Sequence, residues 1–168
     1  GKAIRFHEEI VRPIGRTASG VKGVTLGSEN DEVVGMICVE NETDNILVVS
    51  ENGYGKRSSL ADYRITNRGG KGVKTINITG KTGSLIAIKN VTDSNDLMII
   101  TQNGLTIRIA VEMIPVIGRA AQGVRIINLK PGDQIASVAR VDSDEDEKDM
   151  DENEIVNDDE IDTMPDSE

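Results

Sequence analysis

Aromatic side chains make up only 2% of the sequence and tryptophan is absent. A core built on large rings is therefore excluded, and the interior has to come from Val, Ile and Leu, which suit short strands. One cysteine cannot make an internal disulfide; Cys38 lies in the apolar run Val33 to Val39 and is expected to be buried filler rather than a reactive thiol. The one histidine, His7, stands in Phe-His-Glu-Glu-Ile beside Glu8 and Glu9 with no second His or Cys nearby, so a metal site is not expected. No apolar run approaches the roughly 18 residues of a membrane-spanning helix, and the first residues do not resemble a signal peptide. The expectation is a soluble, intracellular protein with no membrane partner.

Basic residues are outnumbered overall, for a net charge of −10, but the two signs are segregated. Of the 29 acids, 15 fall in residues 142–168 beside a single lysine, which gives that stretch −14; the other 14 acids against 18 bases leave residues 1–141 at +4. A mildly basic folded part thus carries an acidic tail with too few apolar residues to offset its ordering entropy, and the tail is expected to be disordered.

What the chain has in quantity is repetition. The pattern Arg-x-x-x-Gly-Val occurs at Arg16/Gly20/Val21, Arg68/Gly72/Val73 and Arg119/Gly123/Val124, so its arginines are spaced by 52 and 51 residues. Asn52-Gly53 and Asn103-Gly104 repeat in the same register, as do Arg5, Arg57 and Arg108. One unit reads as apolar strand, Asn-Gly hairpin turn, second strand, a loop holding Arg and Gly, third strand, Gly turn and fourth strand. Four strands at such a period indicate an all-β, propeller-like fold, since blade repeats run from about 40 to about 50 residues.

Residues 1–40 read as a blade without its first strand: second strand Ile4 to Phe6, third Val21 to Leu26, fourth Val33 to Val39. Residues 46–91 and 97–141 read as complete blades. The second unit has strands at Ile46 to Val49, around Arg57, at Val73 to Ile78 and at Leu85 to Val91; the third has Leu97 to Thr101, Leu105 to Ile109, Val124 to Leu129 and Gln134 to Val141. Because a propeller closes with about four blades or more, these units are expected to belong to a larger repeat domain or to assemble with copies of themselves.

For chemistry the sequence offers no reacting constellation. Gly55-Lys56 is followed by Arg57 and Lys71 by Gly72, so neither fits the phosphate-binding loop that ends in Gly-Lys-Ser/Thr. No Ser/His/Asp set or Cys/His cluster is present, and no cofactor, metal or small-molecule ligand is expected. The electrostatic pattern says more. Cations recur at three equivalent positions: Arg5, Arg57 and Arg108 on the second strand; Arg16, Arg68 and Arg119 at the loop end; Lys22, Lys74 and Arg125 after Gly-Val. The second unit adds Lys56, Arg64 and Lys71 around Gly69 and Gly70. Equivalent positions in successive blades share a rim, and a cationic stripe suits the phosphate backbone of duplex DNA. With only Phe6, Tyr54 and Tyr63 to stack on bases, a single strand is the poorer fit. Three local readings stay open: the loop-end arginines could instead hold a turn by bonding carbonyls, Lys22, Lys74 and Arg125 could be solvated decoration on the outward side of a strand, and Gly69-Gly70 could be a loop apex only or could also bring backbone amides to phosphate.

The three Arg-x-x-x-Gly-Val units, Gly53-Tyr54-Gly55-Lys56-Arg57, Arg68-Gly69-Gly70-Lys71-Gly72 and the acidic end together resemble the C-terminal domain of the DNA gyrase A subunit over residues 1–141. The resemblance implies a six-bladed β-pinwheel, in which neighbouring blades exchange strands and duplex DNA wraps around the basic perimeter so that an ATP-driven parent topoisomerase can introduce negative supercoils. It further implies, as partners, the gyrase B subunit together with the rest of the gyrase A subunit, and it implies a bacterial, nucleoid-associated location. The signature heptapeptide of that family is Gln-Arg-Arg-Gly-Gly-Lys-Gly; here Thr66 and Asn67 replace its first two residues and the last five agree, so this window is a relative of the signature, which is expected upstream of Gly1. The cleaving tyrosine of such enzymes belongs to another region and is neither Tyr54 nor Tyr63. The alternatives are a protein-binding propeller of kelch type and the corresponding domain of the topoisomerase IV A-type subunit. The tail, tethered beside a basic rim, could compete with DNA for it or could serve only to keep the chain soluble.

Overall fold

Each Asn-Gly pair folds the chain back on itself. Gly53 and Gly104 both adopt φ 82°, a region open to glycine and costly for other residues, and their amides donate to the carbonyls of Ser50 and Thr101 at 3.1 and 3.0 Å. In the computed structural model, which describes residues 1–142, these turns join β2 (Asn45–Ser50) to β3 (Tyr54–Ser59) and β6 (Asn95–Thr101) to β7 (Thr106–Ala110). The remaining strands are β1 (Lys2–Ala3), β4 (Val73–Lys74), β5 (Leu85–Val91), β8 (Val124–Arg125) and β9 (Ile135–Asp142), with single 3-10 turns at Glu8–Ile10, Leu60–Asp62 and Val111–Met113. The fold is all-β and antiparallel, with sheet orders β1-β4, β5-β2-β3-β8 and β7-β6-β9.

Those orders reveal strand exchange. The fourth strand of a unit returns to its first, β5 to β2 and β9 to β6. The short third strand leaves its unit and pairs with the second strand of the unit before: β4 joins β1 with Lys2 opposite Lys74, and β8 joins β3 with Tyr54 opposite Arg125. A parallel bridge reinforces each exchange, Arg5 to Ile65 and Arg57 to Val116.

The motif's glycine makes the crossing possible. At Gly72 (φ 70°) a Cβ would stand 2.5 Å from the Ala3 carbonyl oxygen, and at Gly123 (φ 90°) 2.7 Å from that of Gly55. Both require positive φ, and both have the previous unit's backbone where a side chain would go.

β2 is buried along its length and divides two cores. Ile46 and Val48 face Leu60, Tyr63 and Ile76, whereas Leu47 and Val49 face the other way, onto Val91, Leu97, Ile99, Val111 and Ile135. Period-2 alternation therefore packs a blade against its neighbour on each side. Each such aliphatic side chain contributes about 1.5–3 kcal/mol when removed from water.

Several expected elements are absent or shorter. Residues 21–26 and 33–39 form no strand, and Ile4 to Phe6 contributes only the Arg5 bridge, the first-unit pairing lying at Lys2–Ala3. By the exchange rule, 21–26 would pair with a preceding unit's second strand and 33–39 with its own unit's first strand, and no such strand lies beside them among the described residues. Cys38 is accordingly exposed, not buried filler, and Met36 beside it is 85% exposed. Val73 to Ile78 and Val124 to Leu129 shorten to two-residue strands, because only the crossing residues meet a partner. Asp142 ends β9 and accepts a hydrogen bond from Asn95 Nδ2 at 3.0 Å, so it belongs to the third unit; the expected disorder of 143–168 lies outside the described residues.

Candidate nucleic-acid interface

The three cation series occupy different environments. Arg5 and Arg57 turn inward. The Arg57 guanidinium donates from Nε to the Ile114 carbonyl at 2.6 Å and from NH2 to that of Glu112 at 3.4 Å, and NH1 pairs with Asp93; the residue is 5% exposed. Arg5 does the same one unit earlier, with the Leu60 and Tyr63 carbonyls at 3.3 and 3.4 Å and with Glu42 at 3.0 Å. Arg108 is exposed, and its Nε donates to Asp96 at 2.6 Å. Arg5 and Arg57 thus fasten each second strand to the next unit's 3-10 turn, and Arg57 is not on the rim where the repeat alone would place it.

At the loop end, Arg68 donates to the carbonyls of Ile10 and Lys22, both at 3.2 Å, and Arg119 to those of Asp62, at 3.1 Å, and Lys74. Ile10 and Asp62 are equivalent residues of successive units, as are Lys22 and Lys74, so one arrangement is made twice. The carbonyl-holding reading describes Arg68 and Arg119: each closes the loop that its own unit extends over the preceding one. Arg16 is exposed.

Lys56 is fully buried, where the expectation was a surface cation. Its ammonium donates to Ser58 Oγ at 3.2 Å, to the Gly118 carbonyl at 2.8 Å and to that of Arg119. The other units have Ile4 and Ile107 at this place. Burial first, then the nearby Arg119 charge, lower its pKa from 10.5 to about 8 against the opposing pull of Asp62.

Lys22, Lys74 and Arg125 are exposed. Lys74 Nζ and Arg125 NH1 reach the side-chain oxygens of Asn77 and Asn128, at 3.4 and 3.3 Å, again one arrangement repeated. Each of the three ion pairs formed between described residues uses a second-strand arginine, so this series keeps its charge without a carboxylate. Arg64 and Lys71 are exposed as well and, with Ala3, Arg5, Asn67 and Gly70, line a shallow cleft between the first and second units. The Gly69 amide donates to the Gly23 carbonyl at 2.6 Å and Gly70 accepts from the Thr25 amide at 2.8 Å; the Gly-Gly apex therefore packs on the first unit, and the Gly69 amide is not turned to the outside.

Two cations at these junctions were not singled out from the sequence: Lys2, directly across from Lys74, and Lys81, over the Tyr54 ring. Register betrays the first, because Lys2 stands 52 residues before Tyr54; nothing in the repeat marks the second.

Residues 1–40, 44–92 and 95–142 each match the profile described as DNA gyrase C-terminal domain, beta-propeller. The chain belongs to this family. The DNA gyrase A subunit of Staphylococcus aureus strain MRSA252 is 52% identical over 157 residues, covering 93% of this chain and 18% of the relative. The same protein from strain NCTC 8325 / PS 47 is 53% identical over 151 residues, covering 89% and 17%. The chain thus spans about a fifth of the length of these relatives. Among solved structures, a DNA gyrase A C-terminal domain matches with a TM-score of 0.76 at 28% identity, over 83% of this chain and 47% of the other. The C-terminal domain of a DNA topoisomerase IV matches with a TM-score of 0.78 at 24% identity, over 84% and 44%, a likeness of fold. A kelch-type propeller is set aside, and the gyrase A C-terminal module is the identity these relatives support. Among the described residues, no helix of this gyrase-family chain is long and apolar enough to cross a membrane.

Proposed function

We propose that this gyrase-family module binds duplex DNA along the edge where its blades exchange strands and bends it as part of a supercoiling topoisomerase. The observation that carries the reading is the exposed series Lys22, Lys74 and Arg125, one cation per unit directly after Gly-Val and, for Lys74 and Arg125, on the exchanged strand, with no carboxylate neutralising it among the described residues. Arg64 and Lys71 extend it beside the first junction. In this reading Arg5, Arg57, Arg68, Arg119 and Lys56 build the edge and do not touch DNA themselves, while Arg16 and Arg108 lie on exposed ground at the two ends of the array.

Such cations hold phosphates without reading bases, so binding is weakly sequence-dependent and strongly salt-dependent. Bending a site of 20–30 base pairs costs about 1–6 kcal/mol, and counterion release along the edge offsets it. With a slope of about −0.9 in log K against log salt for each phosphate neutralised, about four neutralised phosphates give about −3.6. A mobility-shift titration of the chain with duplex DNA over a salt series measures this; a flat salt response overturns the reading. Ligation of nicked circles in its presence tests the bend, with a shifted linking-number distribution expected.

The parent reaction, ATP-driven negative supercoiling carried out with a gyrase B subunit plus the rest of the gyrase A chain, belongs to the same proposal, and so does a place on bacterial chromosomal DNA. This chain contributes the wrapping surface to that reaction and the cleavage chemistry lies elsewhere. The acidic stretch 143–168 competes with DNA for the rim; its removal is expected to tighten binding at low salt, and unchanged affinity would count against competition.

A further inference from the structure

The two exchange junctions share one strand-pairing plan and differ in the residue that faces the third-strand cation. At the first, Lys2 of β1 lies directly opposite Lys74 of β4. Like charges facing each other across a strand pair are unfavourable, yet both are exposed and neither has a carboxylate partner among the described residues. At the second, Arg125 of β8 takes the position of Lys74, but Tyr54 stands where Lys2 was. One cation has gone from the pair.

It is replaced from another direction. Lys81, in the turn between β4 and β5, places Nζ 5.4 Å from the centroid of the Tyr54 ring, and the Arg125 guanidinium carbon lies 5.5 Å from the same centroid. Both are within cation–π range. Arg125 NH2 also donates to the Tyr54 hydroxyl at 3.0 Å, and Asn52 Nδ2 donates to the Lys81 carbonyl at 3.3 Å, which secures the turn carrying that lysine. Tyr54 is left only 6% exposed, beneath two outward cations. The matching residues of Lys81 are Glu29 in the first unit and Gly132 in the third, and that of Tyr54 in the third is Leu105. Tyrosine and lysine therefore occur together in the second unit, at the one of the two described junctions where the cross-strand lysine is missing.

We infer that Tyr54 is a positioning residue that gathers Lys81 and Arg125, one from each of two adjacent units, into a two-cation site for a backbone phosphate of duplex DNA. This rests on the DNA-binding reading above and adds to it a specific phosphate site and a reason for the aromatic. Each junction then presents a pair of cations, Lys2 with Lys74 and Lys81 with Arg125, so the edge keeps a regular charge despite the change of residue. The ring faces of Tyr54 offset part of the repulsion between the two cations, which the lysine pair of the first junction does not have.

The test is duplex-DNA titration of the full chain over a salt series. Lys81→Ala, at an exposed position with no fold to endanger, is expected to lower the salt slope by about 0.9, the value for one phosphate left unneutralised. Tyr54→Leu, which installs the third unit's own residue, is expected to weaken binding about 3-fold, and to do so much less in a Lys81→Ala background, since its effect runs through that lysine. Tyr54→Lys combined with Lys81→Ala moves the charge to the first junction's arrangement and should restore the slope. A Lys81→Ala chain with wild-type slope and affinity, while Lys74→Ala weakens binding, overturns the two-cation site and leaves the DNA-binding reading standing. Tyr54→Leu acting equally in both backgrounds overturns the positioning role. Absence of any duplex binding by the wild-type chain overturns both readings together.

Discussion

Replacing Gly72 by alanine tests the strand exchange at its narrowest point. The residue has φ 70°, where an L side chain costs about 1–2 kcal/mol. Its Cβ would also lie 2.5 Å from the Ala3 carbonyl oxygen and 2.9 Å from the carbonyl carbon, both backbone atoms that cannot swing aside. Overpacking of this kind adds about 1–3 kcal/mol, for a total of about 2–5. Gly104 is the control: its φ is 82°, but nothing lies within 4 Å of its Cβ position, so Gly104→Ala should cost only the backbone part. Chemical denaturation of the two variants isolates the steric contribution. Amide exchange locates it, because the Thr75 amide just beyond β4 donates to the Gly1 carbonyl at 3.1 Å and should lose protection in Gly72→Ala and keep it in Gly104→Ala. Equal stability losses with Thr75 still protected would refute the claim that this glycine exists to let one blade cross onto another. Gly123→Ala, facing the Gly55 carbonyl at 2.7 Å, should repeat the Gly72 result at the second junction.

Arg57→Met should cost about 2–4 kcal/mol in denaturant unfolding, because carbonyls of the third unit's turn lose a buried charged donor. Arg119→Ala should destabilise by about 1–2 kcal/mol while leaving the DNA salt slope nearly unchanged, whereas Lys74→Ala should lower the slope with little loss of stability; the opposite pattern would move Arg119 to the DNA surface. For Lys56, the folded-state pKa near 8 lies below the usual 10.5, so between these values the unfolded chain binds more protons and stability rises with pH. Lys56→Ile, which copies Ile4 and Ile107, should lack that rise, and identical pH profiles from pH 7 to 10.5 would show that the ammonium is not desolvated.

The hairpins and fourth strands of the second and third units were legible because each of their local signals has a local cause, whereas their third strands shortened to two residues. Asn-Gly at 52–53 and 103–104 marks the turns through glycine's access to positive φ, and alternation at 46–49 marks a strand covered on both faces. The first unit was misread for the converse reason. Residues 33–39 are as apolar as β5 or β9, but apolarity makes a strand only when a neighbour offers backbone partners: β5 and β9 have β2 and β6 of their own units, and no such strand lies beside 33–39 among the described residues. The candidate site divided in the same way. Recurrence located the three cation series in their units, yet recurrence is equally the mark of a binding rim and of a fastening repeated at each junction.

The sequence by itself determined the repeat, the all-β class, the turn positions and the segregation of acidic from basic charge, all of which follow from spacing and backbone preference along the chain. Tertiary structure alone decided which arginines face solvent. Arg57 and Lys74 look alike as letters, but a guanidinium aimed at the carbonyls of a turn some 55 residues away is consumed in holding blades together. The crossing of β4 and β8 onto neighbouring units carries Lys74 and Arg125 to exposed positions. The same crossing brings Tyr54, Lys81 and Arg125 together, since sequence distance carries no information about which residues an exchanged strand will meet.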